Sequence, residues 1–587
     1  MKTKRYLFLS IIMFSSMMLL MGRLMQIQLL QAEDFSRHGV NLLEESVHQR
    51  IQQLVIDEGR GQFLDRHGDP VTYKEIPVMV LFPFLENRLD LFKQLEEIID
   101  VPSWKIKLAV EREKNPFIFT LKEGEGPFQL TEREMDKINK LKVPGLIAVK
   151  KVYNEQNHSA EHLIGIVKEN KEVFEKRYQH VPVHGKPKLG ISGLQKQFDE
   201  LLLSEGEEKL VYHVDGIGGP LFGIDVKYTS PANPYYPIQV KTSIDLEIQT
   251  KIEKLMENYP IKKGGIALLD IETNDITALV SKPEINQKNP YGNDGMKNYL
   301  FTPLIPGSVF KTVIAAGALE QGIVSKEDKF ACSQNIYGKK DKKQLGDLDF
   351  QESFAQSCNR TFADLARELQ EMDENMIETY ADKLSLTGGV SWKGDFFHFE
   401  DFQQFREGKA NIFGEEKDRK DRNYIAQTGI GQHEVRVTPI AVANMMATIA
   451  RGGEKQAVRA VQAIEYKNGN SIAKFNKKKL SGETISPITA AKLQKLLRSV
   501  VLNEKGTARY LQSAPLSIAG KTGTAQTGRY ENEKPLYNKW FAGYFPFENP
   551  KYALVAVHAD ALENEAGVLP LYKDIVSMLY EKERQDS

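Results

Sequence analysis

The chain has 587 residues, enough for more than one domain, and its 41% hydrophobic content can supply real cores. Its formal net charge of −1 carries no polyanion-binding signature, and it contains no Walker A loop, no H-E-x-x-H and no paired C-x-x-C. Nucleotide, zinc and nucleic-acid chemistry are thereby set aside, and no fixed-period repeat or long low-complexity segment organises the chain.

Lys2, Lys4 and Arg5 precede an apolar run, Tyr6–Met21, which continues less purely through Leu24, Met25, Ile27, Leu29 and Leu30. The pure core is shorter than the usual span of about 20 apolar residues, so a cleaved signal peptide competes with a membrane anchor. No small-x-small cleavage site follows, which favours an uncleaved anchor over residues 1–30, with the basic N-terminus in the cytoplasm and the rest outside. Arg23 can snorkel to the outer interface.

From residue 31 to about 240 the chain is mixed and charged. Leu89–Ile99 and Thr131–Leu141 read as helices and Pro77–Leu81 as a short strand, with no catalytic constellation among them. Asp57, Glu58 and Asp65 lie among Gly and Pro in DEGRGQFLDRHGDPV, the pattern of a turn or hairpin rather than of paired acids. Near Lys263 the pattern changes. GGIALLDIETNDITALVS places two apolar runs around Thr273-Asn274, a strand pair.

The stretch Ile305–Gly317, IPGSVFKTVIAAG, carries the chemistry. Pro306-Gly307 cannot continue a helix backwards, which predicts Ser308 as the first residue of a new one, with Lys311 on the same face one turn on. The residues that follow are apolar on every side, as in a buried helix. A serine at the mouth of such a helix, with a desolvated amine one turn inside, is an activated nucleophile: the helix N-terminus favours negative charge on the serine oxygen, and burial moves the amine towards a neutral base. The alternative is an ordinary helix cap. A second S-x-x-K, Ser471–Lys474, serves as an internal control. It follows Asn468-Gly469 and reads as a hairpin turn and exposed strand with nothing to activate the serine.

Two further motifs follow in order, Ser357-Cys358-Asn359 and Lys521-Thr522-Gly523-Thr524. The ordered trio S-x-x-K, S-x-N and K-T-G characterises penicillin-binding proteins and class A β-lactamases, and the chain resembles them closely. The middle of S-x-N is Cys358 where Asp is common, with the flanking Ser and Asn intact. Arg60-Gly61 with Asp65-Arg66-His67-Gly68, then Ala160–Val167, Gly190–Phe198 and Thr242–Gln249, resemble the N-terminal pedestal, or dimerisation, domain of class B penicillin-binding proteins. Gln427–Gly431 and Val437-Thr438-Pro439 match another segment of that family. Ser385–Asn423 departs from it, at a place that lines or neighbours the site in relatives. Cys332 and Cys358 suit an exported protein independent of disulfides. They could pair and tether the S-x-N loop, but two free buried thiols is the preferred reading.

The resemblance implies an α+β protein: an anchor over 1–30, an elongated pedestal over 31–240, and over 241–587 a transpeptidase domain with an antiparallel sheet flanked by helices. Ser486–Val501 and Leu569–Glu581 read as helices, and Lys539–Phe545 and Tyr552–His558 as strands. The implied activity is serine D,D-transpeptidation of peptidoglycan stem peptides through an acyl-serine, inhibited covalently by β-lactams, in cell-wall synthesis and cell shape. Ser308, Lys311, Ser357, Asn359 and Lys521 are the implied catalytic residues, and Thr522, Gly523 and Thr524 bind substrate. No cofactor or metal is implied. The implied partners are the D-Ala-D-Ala donor, an amine acceptor, β-lactams, the cytoplasmic membrane and a separate glycosyltransferase, because the acidic motifs of a fused one are absent. Three other readings stand beside this one. A D,D-carboxypeptidase or β-lactamase needs a base for water, and Glu407–Asn411 gives only E-x-x-A-N. A scaffold or β-lactam sensor would not need Ser308, and a Ser-His-Asp hydrolase would need a G-x-S-x-G elbow.

Overall fold

The computed structural model describes residues 2–35, 41–42, 51–122, 124, 126–155, 157–180, 187–213, 227–230, 233 and 235–586. Parts of the segment expected as a pedestal, 36–40, 43–50, 181–186 and 214–226 among them, lie outside the described residues. Arg5–Leu30 belongs to a helix of 26 residues, long and apolar enough to cross a membrane. At 1.5 Å per residue it measures about 39 Å, against a hydrocarbon core of about 30 Å.

Two compact units follow from the contacts within the chain. The first gathers residues 1–59, 74–153 and 205–234. Its sheet of Tyr73–Leu81, Phe117–Ile118 and Leu146–Asn154 is covered by the helices Leu89–Ile99, Ser103–Arg112 and Glu132–Lys140. The amphipathic pattern explains the packing: Leu91, Phe92, Leu95 and Ile106 turn inward onto Met79, Leu81 and Phe119. Thr131 caps its helix through a capping box with Glu134, which fixes the start one residue inside the expected boundary.

The second unit gathers 60–73, 154–204 and 235–587. Its five-stranded sheet comprises β1 (Gly264–Asp270), β2 (Ile276–Lys282), β3 (Ala519–Glu531), β4 (Lys534–Phe545) and β5 (Tyr552–Leu562). The spatial order is β2-β1-β5-β4-β3, antiparallel throughout, with β3 at the edge. The turn joining β1 to β2 holds Asn274 at φ +57°, a conformation asparagine tolerates. The helices α1 (Lys311–Gln321), α2 (Pro439–Ala450), α3 (Pro487–Leu502) and α4 (Leu569–Asp586) contribute to the core that covers the sheet. Both α2 and α3 carry Pro at their first turn behind a Thr438 or Ser486 cap.

A second sheet of this unit sets Ser471–Lys474, Val461–Glu465, Gln239–Thr242 and Gln62–Leu64 side by side. Asp65 Oδ1 accepts from the N–H groups of His67 and Asp69, so the D-R-H-G segment is a turn. Gly165 lies at φ +87°, and a Cβ there would stand 1.9 Å from the carbonyl oxygen of Ser192. The segments 160–167 and 190–198 therefore meet backbone to backbone. Beside them the buried Arg60 guanidinium donates to Asp199 at 2.8 Å.

Candidate active site

Ser308 lies three residues before the start of the α-helix. Gly307–Val309 forms a single 3-10 turn, and the α-helix begins at Lys311. Three glycines explain how this turn is held. Gly307, at φ +55°, has no room for a side chain because a Cβ would sit 2.5 Å from Thr524 O, and its N–H donates to Gly431 O at 2.9 Å. A Cβ on Gly431 would stand 2.0 Å from Gly307 O, and one on Gly523 2.5 Å from Pro306 O. The S-x-x-K turn, the Q-T-G-I-G segment and the K-T-G strand thus meet through bare backbone, as only glycine allows. Residues 311–318 are buried on every face, as the sequence pattern requires.

The S-x-N segment approaches from the other side. Asp349 and Glu352 form a capping box on the short helix Phe350–Ala355, and Asn359 opens the helix Asn359–Met372. Between them Ser357 is held at φ +60°, a left-handed conformation costly for a residue with a side chain. Cys358 is disulfide-bonded to Cys332, with Cα atoms 5.7 Å apart, which corrects the expectation of two free thiols. The bond closes a loop of 26 residues and ties its base to S-x-N.

Lys311 is fully buried, and its Nζ donates to Asn359 Oδ1 at 2.7 Å, Ser357 O at 2.8 Å, Ser357 Oγ at 3.2 Å and Cys358 O at 3.3 Å. All four contacts run to the S-x-N segment. Lys521 Nζ, also fully buried, donates to the same Ser357 Oγ at 3.0 Å and to Thr522 O at 3.3 Å. One hydroxyl therefore bridges two amines. Burial, then the charges of Lys521 and Lys343, hold the Lys311 ammonium well below the usual lysine range. Burial, then Lys343, lowers Lys521 to about 7. The rings of Phe362 and Phe354 lie 5.4 Å and 5.6 Å from the two ammonium groups.

Ser308, Ser357, Asn359, Thr522, Gly523 and Thr524 line one open cavity of about 530 Å³, with the two buried amines behind them. Every residue singled out in the three motifs therefore converges on one place. The wall holds other groups that no motif marks. The Thr507 hydroxyl is 2.7 Å from that of Thr522, and Gln432 Nε2 donates to Thr524 O at 3.4 Å. Lys342 and Lys343 stand on a loop over the opening. Only tertiary structure brings these groups in, although Gln432 directly follows the Q-T-G-I-G segment.

One expectation changes. The departing segment, 385–423, supplies no residue to the cavity wall. It folds into the hairpin Lys393–Phe396 and Phe399–Gln403, whose Phe396 and Phe402 pack on Phe198 and Phe475. Glu407 is half-buried, accepting from the Val390 N–H and, at 2.7 Å, from the Thr438 hydroxyl. Burial pushes its carboxyl up, and it also lies outside the cavity wall. The control motif behaves as expected: Ser471–Lys474 is a strand with Ser471 exposed.

The family profile of the penicillin binding protein transpeptidase domain matches residues 264–577, more than half of the chain. Peptidoglycan D,D-transpeptidase FtsI of Escherichia coli is 23% identical over 576 residues, covering 92% of this chain and 84% of that protein. Penicillin-binding protein 3 of Bacillus subtilis is 22% identical over 556 residues, covering 88% and 75%. A solved chain, described under "Structural coordination of polymerization and crosslinking by a peptidoglycan synthase complex", superposes with a TM-score of 0.63 at 22% identity over 98% of both chains. With three motifs closed around one cavity and a family match over most of the second unit, the chain belongs to the class B penicillin-binding proteins.

Proposed function

We propose that the protein is a serine D,D-transpeptidase that cross-links peptidoglycan stem peptides. The observation that carries this reading is the single Ser357 hydroxyl within 3.2 Å of Lys311 Nζ and 3.0 Å of Lys521 Nζ, beside Ser308. Two adjacent buried amines resist being charged together, so one is neutral and available as a base while the other keeps its proton. In that state Lys521 donates to Ser357 Oγ, and the Ser357 O–H can turn to the nitrogen of Lys311.

The donor is a stem peptide ending in D-Ala-D-Ala. Its terminal carboxylate lies against Lys521, Thr522 and Thr524, and Asn359 hydrogen-bonds its amide. Lys311 takes the proton of Ser308 as Oγ attacks the penultimate carbonyl. The N–H groups of Ser308 and Thr524 hold the oxyanion, and a donor of this kind is typically worth about 3 kcal/mol of barrier. The C–N bond then breaks, and the proton passes from Lys311 through Ser357 to the departing D-Ala amine. The acyl-serine that remains is attacked by an amine of a neighbouring stem, which forms the new amide and returns the proton to Ser308. A β-lactam follows the first half and stays attached, because its leaving group remains tethered.

The basic N-terminus, Lys2, Lys4 and Arg5, supports an orientation with residues 1–4 in the cytoplasm and the cavity outside. The region 31–240 serves as the pedestal and 241–587 as the transpeptidase domain, with a separate glycosyltransferase supplying glycan strands. A purified ectodomain given a D-Ala-D-Ala peptide with and without an amine acceptor tests the reaction. Release of D-Ala with a new amide that rises with acceptor concentration is expected. Hydrolysed peptide alone at every acceptor concentration would make the protein a carboxypeptidase, and no product a scaffold.

A further inference from the structure

The opening of the cavity is built with a charge that the acyl-transfer chemistry does not use. Residues 339–343 read Lys-Lys-Asp-Lys-Lys, on a loop whose base is the strand pair Phe330–Ala331 and Asp347–Leu348. This loop is fixed at several points. The Cys332–Cys358 bond joins it to S-x-N, Cys332 N–H donates to Gly346 O at 2.9 Å, and Asp341 N–H to Ser333 O at 2.9 Å. Farther out, Gln427 Nε2 donates to the Tyr337 hydroxyl at 2.8 Å, and Arg367 Nη2 to Ile336 O at 2.8 Å.

Lys342 and Lys343 are exposed and line the cavity. Among the described residues neither makes an ion pair. Asp341, the one acid in the wall, turns Oδ1 back to the Lys343 N–H at 3.0 Å. Lys539 Nζ is spent on the carbonyl oxygens of Glu563 and Glu565. The charge of Lys343 reaches both buried amines, lowering each. Two ammonium groups on an anchored loop at the cleft, with no ion pair among the described residues, are complementary to a substrate carrying negative charge there.

We propose that Lys342 and Lys343 read a second carboxylate on the donor stem peptide, upstream of the terminal one held by K-T-G, and so make the enzyme selective for stems in which that carboxylate is free rather than amidated. This rests on the transpeptidase reading above and names the substrate class of the same cavity.

Two D-Ala-D-Ala peptides, identical except that an upstream side group is a carboxylate in one and its amide in the other, test it through the ratio of their kcat/KM values for D-Ala release. The wild-type protein is expected to favour the carboxylate donor roughly fivefold, the size of a partly screened ion pair, and the preference shrinks as salt rises to about 1 M. In K342Q/K343Q the ratio falls to about one, and in K342R/K343R it persists. Because each ratio is taken within one protein, any effect of Lys343 on the buried amines cancels. No preference in the wild-type protein, or the same preference in K342Q/K343Q, would overturn the inference. Failure of the wild-type protein to release D-Ala from either peptide, or to take up a fluorescent penicillin, would instead overturn the transpeptidase reading beneath it.

Discussion

The proposed mechanism needs Lys311 neutral and Lys521 charged, so the two amines are expected to set opposite limbs of a pH profile. In that mechanism Lys311 must be unprotonated to accept the serine proton, and burial, then the charges of Lys521 and Lys343, move it towards that form by holding it well below the usual lysine range. Lys521 attracts the substrate carboxylate only while protonated, and it loses its proton as pH rises through about 7. The second-order rate of penicillin acylation, followed from pH 5 to 9, is therefore expected to fall on the alkaline side through about 7; a rate still rising at pH 9 would mean that Lys521 is not needed charged. Lys311→Met is expected to lower the acylation rate by roughly 10²–10⁴, the usual share of a general base. These residues were legible because an ordered trio of short motifs names them. Thr507, Gln432 and Lys343 were not, because a contact made across the fold leaves no local pattern in the chain. The bond of Cys358 was misjudged for the same reason: two cysteines alone do not state whether their Cβ atoms meet.

The elements around the site are held by backbone approach and by a cross-link. Gly307→Ala introduces a Cβ 2.5 Å from Thr524 O at a positive φ. It is expected to cost roughly 1–3 kcal/mol from the dihedral alone and to slow acylation, because the nucleophile's turn must move away from K-T-G. Acylation and unfolding midpoints unchanged from wild type would contradict that packing. C332A/C358A releases a loop of 26 residues and is expected to lose about 3 kcal/mol of stability, read as a lower urea midpoint. In the second unit α3 and α4 were readable as Ser486–Val501 and Leu569–Glu581, and the structure adds the Thr438 and Ser486 caps behind which α2 and α3 start. The start of α1 was misplaced, because Ser308 sits in a 3-10 turn that the close approach of Gly307 and Gly431 imposes, a constraint from outside the segment.

At the scale of the molecule, the order of the chain and the order of the structure differ. Residues 60–73 and 154–204 belong to the compact unit that holds the cavity. Buried Asp199 ties these two segments to each other, accepting from Arg60 at 2.8 Å, Gly190 N–H at 2.7 Å and the Tyr178 hydroxyl at 2.9 Å. Asp199→Ala leaves the Arg60 charge buried without its partner and is expected to cost about 3–5 kcal/mol. Motif resemblance marked these segments, but sheet pairing such as Gln62–Leu64 on Gln239–Thr242 is a long-range match that no local pattern specifies. The apolar helix Arg5–Leu30 was plain from composition. Formation of a covalent acyl-serine at Ser308 is tested by incubating the ectodomain and its Ser308→Ala variant with a fluorescent penicillin. Lasting label is expected on the wild-type protein and absent from the variant, with the adduct mapped to the peptide containing Ser308. Equal labelling of the two proteins, or no label on either, would contradict it.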